Sequence, residues 1–111
     1  MKDEEFEQAW ADIEDLYFAR FGEEFDLQAI LLFIGINELG FRPEKLNKDQ
    51  KIDLMHIAVC RLLEPYGFYQ YKGRDQDGWP HYERTEKLPN LNPEEQERLM
   101  KEAIISYHAE E

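Results

Sequence analysis

The sequence predicts a mainly helical α+β fold, a compact four-helix domain with a β-hairpin inserted between helices three and four. Four segments carry helix start and stop signals around apolar residues spaced for one face or for full burial. One aromatic segment with turn chemistry at its middle interrupts them. A chain of 111 residues, 42% apolar and 14% aromatic, is long enough and apolar enough to form one cored domain over residues 1–111.

The first helix is expected from about Asp3 to Phe21. Phe6, Ala9, Trp10, Ile13, Leu16 and Tyr17 recur on one helical face, and Asp3, Glu4, Glu5 and Glu7 lie where negative charge complements the helix dipole. Gly22 is placed to end it. Asp26 is the N-cap expected for a second helix over Leu27–Leu39, with Gly40 closing it. The run Ala29-Ile30-Leu31-Leu32-Phe33-Ile34 is apolar on every face, which places this helix in the interior. Gly35 costs about 1 kcal/mol against alanine in a helix interior, so it is read as a point of close packing.

A third helix starts with Asn47 as N-cap and Gln50 as the partner of a capping box. It continues through Ile52, Met55, Val59, Leu62 and Leu63, and ends before Pro65. The fourth begins Asn92-Pro93-Glu94-Glu95, a cap, a proline at the first helical position and a capping-box glutamate. Leu99, Met100, Ala103, Ile104 and Tyr107 form its inner face.

Residues 66–82 hold Tyr66, Phe68, Tyr69, Tyr71, Trp79 and Tyr82 around the turn sequence Gly73 to Gly78. Strands over about 67–72 and 79–85 pair as a hairpin. With the turn centred near Asp75, Tyr71 faces Trp79 and Tyr69 faces His81 on one side, while Phe68 and Tyr82 take the other. An isolated ribbon is marginal in water, so one face must pack on the helices.

The charge is distributed unevenly. The net −12 divides into −8 over residues 1–26, −4 over residues 93–111 and a neutral middle. Such a field repels phosphate backbones and anionic membranes, so nucleic acid and membrane are not the expected partners, and a basic protein is. Arg42, Lys45, Lys48 and Lys51 form no basic stripe, because Glu44 and Asp49 interrupt them. The N-terminal Met1-Lys2-Asp3-Glu4-Glu5 lacks a signal-peptide pattern. The longest apolar-rich stretch, Leu27–Leu39, contains Gln28, Asn37 and Glu38 and falls short of the about 20 residues a bilayer requires. A single cysteine, Cys60, forms no internal disulfide and fits a reducing compartment. A cytoplasmic location is expected.

No catalytic motif is present: no phosphate loop, no dinucleotide fingerprint, no paired-cysteine zinc pattern and no serine in a glycine-rich elbow. Asp75-Gln76-Asp77-Gly78 fails as a calcium loop, since its first and last ligand positions would be Gly73 and Arg84. No cofactor is expected.

Three functional classes stand in order. The preferred one is a non-enzymatic protein–protein interaction module using the aromatic hairpin and the acidic terminal helices, with Tyr69, Tyr71, Trp79 and His81 as contact residues. The second is a small metal-binding or hydrolytic enzyme centred on His56 and Cys60. Asp53 lies one turn before them on the same stripe, and His81 or His108 would join only if the fold brings them near. The more ordinary account of that stripe is a half-solvated helix face with a small buried thiol. The third is a nucleic-acid-linked regulator or a nucleic-acid mimic. A symmetric dimer through helix two or the hairpin edge is left open.

At Asp53-Leu54-Met55-His56-Ile57-Ala58-Val59-Cys60, Tyr66-Gly67-Phe68 and Asp77-Gly78-Trp79-Pro80-His81, the chain resembles an uncharacterised family of small acidic bacterial proteins with no assigned activity. The resemblance runs weakly over most of the length, from the second helix to Ala103-Ile104-Ile105. It implies a bacterial cytoplasmic protein and brings no catalytic or binding residues with it.

Overall fold

The computed structural model describes residues 2–110. In chain order these form α1 (Asp3–Phe21), α2 (Leu27–Leu39), α3 (Lys48–Leu63), β1 (Tyr69–Arg74), β2 (Pro80–Arg84) and α4 (Pro93–Ala109). The α+β class, with an antiparallel hairpin between the third and fourth helices, is as expected. No helix among the described residues is long and apolar enough to cross a membrane. The chain packs as two compact units: Met1–Ile30 with Leu91–Glu111, and Leu31–Asn90.

In the first unit α1 packs on α4. Ile13 and Tyr17 of α1 and Ala103 and Ile104 of α4 are buried, which agrees with the predicted faces, although Leu16 stays exposed. Tyr17 meets His108 Nε2 through its hydroxyl at 2.8 Å, so this buried ring keeps a partner for its polar tip. Arg98 lies over the Phe6 ring at 4.0 Å and bonds Asp3 and Glu102 at 2.9 Å each. Gly22 ends α1 in the left-handed conformation. The Asn92–Glu95 capping box and Pro93 start α4 as predicted. Asp26 Oδ1 accepts from the Ala29 N–H at 2.8 Å, the expected cap of α2.

In the second unit Leu39, Leu54 and Ile57 form a buried cluster against which Leu32, Ile36 and Trp79 pack. The buried face of α3 is centred on Leu54, Ile57 and Ala58. Leu54, Ile57, Ala58, Cys60, Leu62 and Leu63 are buried, whereas Ile52 is 54% exposed and Met55 and Val59 are half-buried. Apolar residues lie nearly all around this helix, so their periodicity left its rotation undetermined, and contact with α2 and the hairpin selects it. At Gly35 the α2 backbone approaches the α3 backbone at Leu54 with no room for a Cβ. The Arg61–Glu38 ion pair, 3.2 Å, joins the same two helices.

Only half of the expected capping box on α3 forms. Asn47 Oδ1 accepts from the Gln50 N–H at 2.9 Å, but Gln50 Oε1 is buried with no hydrogen-bond partner.

The hairpin register also differs. Tyr69 pairs with Arg84, Gln70 with Glu83 and Tyr71 with Tyr82; beyond a bulge at Lys72, Gly73 pairs with His81 and Arg74 with Pro80. The turn therefore lies further along the chain than Asp75. The Asp75 carboxylate is the cause: its Oδ1 accepts from the N–H of Asp77 at 2.9 Å and of Trp79 at 3.0 Å, winding residues 75–78 into the reversal. Gly73, at φ 104°, absorbs the extra bulge residue in a conformation that side-chain-bearing residues avoid. Before the bulge the shift is odd, so Tyr82 changes face and joins Tyr71, the two rings meeting edge to face at 5.4 Å.

The hairpin packs against α3 and is tied to the end of α2. Arg74 Nη1 donates to the carbonyls of Leu39, at 2.8 Å, and Gly78, while its Nη2 reaches the Glu38 carbonyl at 3.0 Å. One guanidinium thus satisfies terminal carbonyls of α2 that the helix itself leaves unpaired.

Candidate functional site

A groove of about 480 Å³ runs where β2 and the hairpin turn face α3. The helix contributes Gln50, Asp53, His56, Ile57 and Cys60, and the hairpin contributes Asp75, Asp77, Trp79, Pro80, His81 and Tyr82. The size lies within the range usual for ligand sites.

Each side chain is positioned by a local cause. Asp53, His56 and Cys60 follow one another along one stripe of α3 at three- and four-residue spacing. His56 Nε2 lies 3.5 Å from Cys60 Sγ, and its ring meets Tyr69 edge-on at 6.2 Å. Cys60 is 1% exposed, and burial pushes its thiol up from 9.0 to about 11. The group therefore stays neutral at physiological pH and is not poised as a thiolate nucleophile. Burial likewise raises the Tyr82 hydroxyl to about 12, helped by the negative charges of Glu64 and Glu38.

His81 Nε2–H donates to Asp75 Oδ2 at 2.8 Å. That bond, with the two backbone N–H groups on the same carboxylate, holds Asp75 below the usual carboxylate range. The His81 side chain is 63% exposed. No hydroxyl or thiol bonds to this pair among the described residues. Nor do any three His, Cys, Asp or Glu side chains among the described residues converge as a metal site.

The four contact residues expected from sequence do not share a face. Tyr69 and Tyr71 lie on the side of the ribbon with Tyr82, and His81 lies on the opposite side with Gln70 and Glu83. Tyr71 is 46% exposed, Tyr69 is half-buried, and Trp79 packs on the Leu39–Leu54–Ile57 cluster and edge-on to Phe41. What the fold does bring together is the second half of the hairpin set, Trp79 and His81, with Asp53, His56 and Cys60 of α3. His108, by contrast, belongs to the first unit and bonds Tyr17.

Gln50, Asp75, Asp77 and Tyr82 are read from sequence as cap, turn and strand residues, not as site residues. The Asp-x-Asp-Gly spacing signals the turn that Asp75 builds. No local pattern reveals that α3 and β2 face each other, because that follows from the pairing register.

No family model matches the chain, and neither a curated protein nor a solved structure is found to match it.

Proposed function

We propose that this protein is a non-enzymatic protein–protein interaction module, whose second unit docks a partner along β2 and the groove beside it. The observation that carries the proposal is the composition of that groove. It joins recognition-type side chains, Trp79, Tyr82, His81 and His56, to exposed carboxylates, while its one thiol is buried and held neutral. The half-exposed Tyr71 extends the same aromatic surface beyond the groove. Exposed acids along α1 and at the start of α4 favour a basic partner over an anionic one.

The test is affinity purification with mass spectrometry, comparing the full chain with a Tyr71→Ala/His81→Ala double variant. His81 is 63% exposed and Tyr71 46%, so the variant should keep its circular dichroism spectrum, with an unfolding midpoint lowered only by loss of the His81–Asp75 bond and the Tyr71–Tyr82 contact. The expected result is a defined protein recovered in fixed ratio by the parent chain and lost by the variant. Equal recovery by both would remove the hairpin as the docking surface.

A further inference from the structure

We infer that this chain pairs with a second copy of itself through an apolar groove at the end of α2. The groove has a volume of about 680 Å³ and shares no lining residue with the one between α3 and β2. Phe33 and Ile36 of α2 are half-buried in it, and Phe41 and Leu46 of the following loop line it at 42% exposure each. The contact is independent of the docking function proposed above and goes beyond it.

The groove exists because α2 is apolar on every face while the second unit covers only part of it. Helices of that composition are ordinarily enclosed. Ile36 packs in part on the Leu39–Leu54–Ile57 cluster, yet the stripe it shares with Phe33, one turn before, lines the open groove. Large apolar side chains from helix and loop thus meet water together, and burial against another surface would stabilise them.

Charge decides what covers this surface. Residues 31–90 carry nine acids and nine bases, so the whole net charge of −12 falls on the other unit. Two copies of so acidic a chain repel one another through those first units, and the neutral second unit is where they can approach without that penalty. The groove itself carries one charge of each sign, Arg42 and Glu44, both exposed and in no ion pair among the described residues. A basic partner would be opposed by Arg42, and an acidic one by Glu44. A two-fold axis through the groove removes the conflict. It sets Arg42 of each copy against Glu44 of the other and brings the two apolar stripes face to face.

Sedimentation velocity of the full chain over a concentration series, in about 0.15 M salt to screen the first units, reads the association. Amide spectra of 15N-labelled protein show which residues respond to dilution. The expected result is growth from one chain to two, with dilution-dependent shifts over residues 33–46. Arg42→Glu and Glu44→Arg each place like charges at both rim contacts, so each variant alone should dimerise about tenfold more weakly. Mixed in equal amounts, the two variants should pair as tightly as the parent, because every rim contact is again between opposite charges. Both positions are exposed, so the unfolding midpoints should match the parent's. A chain that stays monomeric throughout, a dimer indifferent to either reversal, or no recovery on mixing would overturn the inference. Dilution shifts confined to the hairpin or to the first unit would do the same, by placing the interface on another face.

Discussion

Replacing Gly35 by alanine sets helix propensity against packing in a single substitution. Propensity alone predicts a gain of about 1 kcal/mol, because glycine loses more backbone freedom than alanine on entering a helix. The structure predicts the opposite sign. A Cβ at position 35 would fall against the Leu54 carbonyl oxygen, with the carbonyl carbon 2.6 Å and the Cα 3.2 Å away. All three are backbone atoms, so no side chain can rotate aside. Carbon–carbon contact is comfortable at about 3.5 Å, so α2 and α3 must part by roughly 1 Å, enough to forfeit up to half the dispersion of facing atom pairs. Overpacking of this kind costs about 1–3 kcal/mol, and the upper end applies where only backbone can yield. After the propensity gain a net loss of about 2 kcal/mol is expected, lowering the urea midpoint by about 1 M. A Trp10→Phe background leaves Trp79 as the sole tryptophan, so fluorescence then reads the second unit. A midpoint for Gly35→Ala equal to or above that of the background would refute the close approach.

Arg74→Ala should destabilise the second unit by about 1–2 kcal/mol, and Arg74→Lys should recover little of it, since an ammonium cannot serve the carbonyls of Leu39, Glu38 and Gly78 together; urea unfolding in the same background checks both. The raised Cys60 thiol favours the neutral, folded form, so stability is complete below the unfolded value near 9.0 and falls as pH rises toward about 11. At pH 8 the thiol should resist a thiol-specific reagent in native protein and react rapidly in urea; rapid native reaction would contradict its burial. Asp75 has the reverse sign: its lowered carboxyl contributes stability above the ordinary aspartate range, lost as pH falls through its own lower value. The Asp77 and Trp79 amide resonances should therefore titrate below the ordinary aspartate value of 3.8. In an ultraviolet titration, Tyr82→Phe should remove a phenolate that forms at about pH 12.

Features that act within a few residues were readable before the fold was known. The Asn92–Glu95 box, the Asp26 cap, the Gly22 and Gly40 terminations and the start of α4 at Pro93 each depend on groups one turn apart. The interior position of α2 was legible for a related reason: a run of apolar side chains on every face has nowhere else to go. Gly35 announced itself because a costly residue in a helix needs a compensating contact.

Side-chain orientation at longer range was not readable in this way. The rotation of α3, the unpartnered Gln50 Oε1 and the register of the hairpin each rest on which of several local options distant atoms reward. Asp75 illustrates the point, since its carboxylate moves the turn, and an odd displacement sends Tyr82 to the other side of the strand. The candidate site inherits that dependence. Its residue types are present in the sequence, yet Asp53 and His56 line one groove with Trp79 and His81 only because β2 lies against α3 in this one alignment. Local chemistry thus determined where the helices begin and end and that a ribbon lies between two of them. The groove was decided by tertiary contact, because strand pairing and helix rotation are chosen by nonlocal burial and hydrogen bonding that no short window of sequence contains.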